Sequence, residues 1–158
     1  MTAKMNRQWT VSKCGFRRLG ALVEEDGITF SAAVPSEEAA DLILYHRGEQ
    51  EIAGEVPFPP QHYTGIVRTI KVSGISPEDY EYNFRVGGRV ILDPAARAVR
   101  GRERYGDFSP KGEHQVRGGF LTGTFDWKGD QIPLELPYED VVAYHLHVRG
   151  FTKQKNSR

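Results

Sequence analysis

The sequence predicts an all-β protein, built as an antiparallel sandwich or barrel. Short apolar stretches recur about every 8–15 residues, which is strand spacing, and each is closed by Gly, Pro or Asp. Several of them alternate apolar and polar residues with period two. Between them there is almost no 3.6-residue periodicity.

Taken in order, "GALVEEDG" (Gly20–Gly27) reads as a strand running into a turn. "ITFSAAV" (Ile28–Val34) alternates, with Ile28, Phe30 and Ala32 on one side, and Pro35 ends it. "ADLILYHRG" (Ala40–Gly48) sets Leu42, Leu44 and His46 on one face and Asp41, Ile43 and Tyr45 on the other. It is apolar on both faces near its middle, as a central strand would be. "QEIAGEV" (Gln50–Val56) is a weaker strand before the breaker "PFPPQ". "GIVRTIKVSG" (Gly65–Gly74) sets Ile66, Arg68, Ile70 and Val72 against Val67, Thr69 and Lys71. "YEYNFRV", "GG" and "RVIL" predict a hairpin, with Tyr80, Tyr82, Phe84 and Val86 sharing a face. Gly87 and Gly88 supply the positive φ of a two-residue turn.

A short helix is expected at "DPAARAVRG", where Asp93 can cap, Pro94 can take the first helical position and Gly101 can terminate. "PSEEAAD" is too brief to predict more than a helical turn. From Arg100 to Gly119 the chain turns charged, glycine-rich and aperiodic, which predicts a long surface excursion. Apolar character resumes at "FLTGTFDW", followed by a linker with two prolines, "KGDQIPLELPYED". "VVAYHLHV" (Val141–Val148) is again apolar on both faces, the pattern of a strand covered on both sides, and nothing in the preceding sandwich supplies that cover.

The bulk numbers bound the function. The 158 residues suffice for one domain and a self-sufficient core. With 21 basic and 21 acidic residues the formal net charge is zero, which argues against nucleic acid as the main partner. The single cysteine, Cys14, allows no intrachain disulfide and fits a reducing compartment. The start lacks the apolar core of a signal peptide, and no run approaches the length of a membrane span, so the expectation is cytoplasmic with no membrane partner.

No set of residues declares a chemistry. His145 and His147 would point the same way on a strand and could share a metal. Yet His46, His62 and His114 are scattered without ligand spacing, so hydrogen bonding to neighbours is the better account. Glu24, Glu25 and Asp26 form a turn, Glu37 and Glu38 a solvated start, and Asp130, Glu135, Glu139 and Asp140 lie in the linker. None is placed as an acid–base pair in a cleft. Cys14 has no partner histidine by spacing, and no G-x-S-x-G, Walker A or G-x-G-x-x-G motif occurs. Arg97, Arg100, Arg102 and Arg104 could meet a polyanion, but Glu103 and Asp107 beside them favour a solvated loop or an ion-paired domain contact. For sugar stacking the chain offers Trp9 in its N-terminal tail and Trp127 before the linker. Tyr45, Tyr63, Tyr80 and Tyr82 are each better suited to packing. Catalytic, cofactor-binding and metal residues are therefore expected to be none.

The order of segments resembles the opening of glycoside hydrolase family 13 enzymes. The residues that carry the resemblance are Gly27, Phe30, Pro35, Ala40, Leu44 and Tyr45, then Tyr80, Tyr82, Gly88, Asp93, Pro94 and Ala95. "YHLHVRGFT" is similar to the "YELHVRGFT" with which pullulanases and glycogen-debranching enzymes enter their catalytic barrel. The resemblance covers roughly residues 19–152. It implies an immunoglobulin-like sandwich akin to carbohydrate-binding module family 48. It also implies a parent enzyme that hydrolyses α-1,6 branch linkages of α-glucans with retention. Its nucleophile and acid would lie on later strand ends of a barrel of ~250 residues.

On this reading the chain comprises an N-terminal extension (1–18), the sandwich (19–120), a linker (121–140) and the first strand of an absent (β/α)8 barrel (141–158). It would be a non-catalytic accessory domain without cofactor. Its partners would be its own catalytic barrel and, weakly, α-glucan. Val67 stands where many members have tryptophan, and no tryptophan occurs in the sandwich strands, so glucan binding should be millimolar or none. The alternative is a free-standing immunoglobulin-like interaction module without a carbohydrate role.

Overall fold

The computed structural model describes residues 9–35, 37–60, 65–104, 106–107, 109–123, 126–129 and 135–153. The chain divides into two compact units, Met1–Gly123 and Thr124–Arg158. The first is a two-sheet antiparallel sandwich. One sheet joins β1 (Thr10–Ser12), β2 (Gly20–Glu24), β3 (Gly27–Ala33) and β6 (Val67–Ser73) in the order β1-β6-β3-β2. The other joins β4 (Ala40–His46), β5 (Ile52–Pro57), β7 (Tyr80–Val86), β9 (Ala98–Arg100) and β10 (Arg117–Gly119) in the order β5-β4-β7-β10-β9. A short β8 (Arg89–Ile91) also pairs with β7.

Alternation places the core. From the first sheet Ile28, Phe30, Ala32, Ile70 and Val72 point inward; from the second come Leu42, Leu44, Tyr80, Tyr82 and Phe84. Phe30 meets the Tyr82 ring edge-on at 5.2 Å, and Phe120 stacks on Tyr82 at 5.3 Å. Each such side chain, fully buried, stabilises the fold by about 1.5–3 kcal/mol. The predicted hairpin forms: Gly87 and Gly88 have φ of 56° and 79°, the positive values a primed turn needs. Val86 then pairs with Arg89 and Phe84 with Ile91.

The helix expected at "DPAARAVRG" does not form. The Asp93 carboxylate accepts from the Tyr82 hydroxyl at 2.6 Å and from the Ala95 N–H at 2.8 Å, while Ala96 N–H bonds Asp93 O at 3.0 Å. These contacts close a single turn. The next residues are taken by β9, whose Ala98, Val99 and Arg100 pair with Gly119, Gly118 and Arg117. The surface excursion predicted for residues 100–119 accordingly ends sooner, in the buried strand β10. Period-two apolarity could not reveal that strand, because two of its three residues are glycines and the third is arginine.

The N-terminal segment also contributes. β1 pairs with β6, and Trp9 lies against the core with its indole N–H donating to the Tyr80 hydroxyl at 3.2 Å. Gly54 makes room for it, since a Cβ there would collide with the indole ring.

In the second unit, a single 3-10 turn (Tyr138–Asp140) and a one-turn helix, α1 (Val148–Thr152), are the regular elements among the described residues. Val141 and His147 have extended torsions (φ −85°, ψ 122° and φ −86°, ψ 110°). Residues 141–147 pair with no strand among the described residues. The segment read as a strand is thus extended at both ends without a ladder, and its last residue, Val148, starts α1.

Candidate functional site

Three places gather the residues that could act. The first is the outer face of the second sheet. Ile43 and Tyr45 point outward from β4, yet both are fully buried. Arg85 on β7 pairs with Glu55 on β5 at 2.6 Å, spanning the strand between them and covering Ile43. The Arg117 guanidinium sits 3.8 Å above the Tyr45 ring, close enough for a cation–π attraction. Arg117 Nε donates to His114 O at 2.6 Å, and Nη1 donates to Glu49 O at 2.7 Å and to a Glu81 carboxylate oxygen at 3.3 Å. The Tyr45 hydroxyl and His114 Nδ1 share a 2.6 Å hydrogen bond. Burial pushes the Tyr45 phenol up. This cluster is polar, yet it is closed over by its own loop. It works as a lid on β4.

The second is the outer face of the first sheet. The Ser31 and Thr69 hydroxyls hydrogen-bond at 3.1 Å. Lys71 bridges Glu24 at 3.2 Å and also pairs with Asp26. The hydrogen bond from Thr29, then that from Lys71, holds the Glu24 carboxyl below its ordinary range; Lys71 does the same for Asp26. Two carboxylates tied down by one ammonium are poor proton shuttles. Cys14 lies within reach of Thr29, Glu24 and Lys71, and burial raises its thiol pKa, so it is not an activated nucleophile.

The third is the second unit. His145 and His147 are both exposed, and the His147 ring accepts the Gly150 N–H at 3.2 Å as the N-cap of α1. Among the described residues no three His, Cys, Asp or Glu side chains gather as a metal site requires. Glu135, Glu139, Asp140 and Trp127 are exposed, and Tyr144 is 86% exposed.

The other candidates are dispersed. His46 lies over Tyr80 with ring centroids 4.7 Å apart, and Trp9 meets the same ring edge-on at 5.6 Å. Tyr82 is core, and burial with Asp93 raises its pKa. Glu37 and Glu38 are exposed. Arg102 bonds Asp107 O at 3.3 Å, and Glu103 accepts the Gly101 N–H at 2.8 Å. His62, Tyr63 and Asp130 lie outside the described residues. Sequence reasoning missed Arg117, because an arginine among glycines reads as loop.

No family model matches the chain. The chain is 33% identical over 160 residues to isoamylase 1, chloroplastic, of Oryza sativa subsp. japonica. That alignment covers 88% of this chain and 20% of the relative. It is 26% identical over 157 residues to the glycogen debranching enzyme of Erwinia tasmaniensis, covering 85% of this chain and 23% of that protein. Its fold matches apo pullulanase from Paenibacillus barengoltzii with a TM-score of 0.61 at 22% identity, over 90% of this chain and 21% of the other. The chain spans about a fifth of the length of the relatives it matches. Shared sequence along most of the chain makes it a homologue of one fifth of the isoamylase and glycogen-debranching enzymes, and it has the β-sandwich fold found in a pullulanase.

Proposed function

We propose that this chain is a non-catalytic accessory domain of an α-glucan-acting glycoside hydrolase of the debranching or pullulanase type, directed at α-1,6 linkages. The observation that supports it best is the match of 88% of this chain to a fifth of an isoamylase. The acids on both sheet faces fit this reading, since Glu24, Asp26, Glu55, Glu81 and Asp93 are each engaged by a cation, a hydroxyl or a backbone N–H. A retaining glycosidase needs two carboxyl groups about 5–5.5 Å apart in an open cleft.

In this reading residues 19–120, joined by β1 and Trp9 from the N-terminal extension, form the supporting sandwich, 121–140 a linker, and 141–158 the start of the barrel. The apolar face of 141–148 becomes its first strand when the rest of that sheet is present. Contact with glucan is weak. The Trp9, His46 and Tyr80 rings pack on one another and on the core, so they present no open stacking platform.

The test has two parts. The chain is assayed on pullulan and glycogen for reducing-end release, with none expected; sustained turnover overturns the accessory reading. Calorimetric titration with maltoheptaose and β-cyclodextrin is expected to give millimolar affinity or no heat. Micromolar binding overturns the supporting role in favour of a dedicated glucan-binding module.

A further inference from the structure

At the open edge of the sandwich β2 faces the turn after β8. Gly20, with φ of 85°, brings the start of β2 so close to the turn that a Cβ there would lie 2.8 Å from Ala95 O. Two hollows, each of about 200 Å³, flank this point of contact. One is apolar, with Leu19, Ile91 and Pro94 among its walls. The other is lined by Arg18, Arg97 and Leu121, over the buried Phe120. Leu121 is 56% exposed and Leu19 44%, so each hollow carries an uncovered leucine at its rim.

The two arginines give this edge its chemical character. Among the described residues neither forms an ion pair with a carboxylate. Arg18 Nη2 donates to Ala21 O at 3.2 Å, but its Nε–H is buried without a partner. A buried donor left unpaired is costly, so an acceptor that reaches it is rewarded. Guanidinium forks select planar carboxylates over other acceptors. An apolar hollow beside a carboxylate-selective one specifies a partner with an apolar side chain next to an acid.

We infer that this edge is the docking surface for the remainder of the enzyme, and that Arg18 and Arg97 receive a carboxylate there while Leu19 and Leu121 are covered by apolar side chains. This rests on the accessory-domain reading above and assigns it a face. The lidded outer face of β4 and the far edge at β5 stay free of the contact.

The probe is the part of rice isoamylase 1 outside the aligned region, produced as a separate polypeptide and mixed with this full chain in a calorimeter. Association is expected to weaken on the order of tenfold for Arg18→Gln with Arg97→Gln, as for loss of a partly buried charge contact. It should vanish for Leu19→Asp with Leu121→Asp and stay unchanged for Ile52→Asp on β5. The charge-retaining pair Arg18→Lys with Arg97→Lys should recover part of the loss, and unchanged urea midpoints show that all variants are folded. Association that ignores the edge variants overturns the assignment of this face and leaves the accessory reading standing. No association with the unaltered chain overturns both.

Discussion

β4 and the segment Val141–Val148 carry the same kind of sequence and meet opposite fates. "ADLILYH" and "VVAYHLHV" are both apolar on two faces. In β4, Leu42, Ile43, Leu44 and Tyr45 are all fully buried. In the other, Val142 is 78% exposed and Leu146 44%. The difference lies in cover, not in the strand sequences. β4 has hydrogen-bonded neighbours on both sides, a core beneath it, and a roof of Arg85, Glu55, Arg117 and His114 above. A doubly apolar strand is therefore a statement about what must surround it, and only one of the two has those surroundings here.

The comparison can be broken most directly by truncating each strand. Leu44→Ala should destabilise the chain by about 2–5 kcal/mol in urea unfolding, because a fully buried leucine leaves a cavity. Val142→Ala should change the stability by less than about 0.5 kcal/mol, the usual result for an exposed site. Similar losses at both positions would show that the second segment is covered in solution.

The next largest effect comes from lifting the roof off β4. Arg117→Ala leaves the Glu81 carboxylate buried without its cation and should cost on the order of 3 kcal/mol. Hydrogen exchange should then rise at Tyr45 and its neighbours and stay level in the first sheet. Uniform loss of protection would mean that Arg117 holds the whole sandwich.

The smallest effect is electrostatic and belongs to the outer face of the first sheet, where Lys71 ties Glu24 and Asp26 beside the buried Thr29, Ser31 and Thr69. Glu24 and Asp26 have depressed pKa values, so the unfolded chain takes up their protons first as pH falls. Their contribution is fully present above the ordinary carboxylate range and is lost as pH drops through the lowered folded values. Lys71→Met should flatten this acid limb of the stability curve, with little change at neutral pH. An unaltered limb would remove Lys71 from the account.

The legible parts of the fold were those written in alternation. Ile28, Phe30 and Ala32, or Tyr80, Tyr82 and Phe84, announce one face each, and Gly87-Gly88 announces its turn. β9 and β10 were hidden because tertiary contacts, not local pattern, make them strands: Gly118 pairs with Tyr82 at a position where a side chain would strike that ring. The Asp93 turn was misread because an aspartate before proline serves a helix cap and a turn equally well. The distant Tyr82 hydroxyl decides between them. Of the candidate surfaces, the arginine cluster was visible as charge. Only the structure separates Arg97, which lines a hollow with Arg18, from Arg100 and Arg102, which do not.

The seating of Trp9 has an optical consequence. With one tryptophan pressed between Gly54 and Tyr80 and the other, Trp127, 56% exposed, acrylamide should quench the second and spare the first. The shielded emission then reports on the sandwich alone, and its red shift times the moment at which the N-terminal segment lets go.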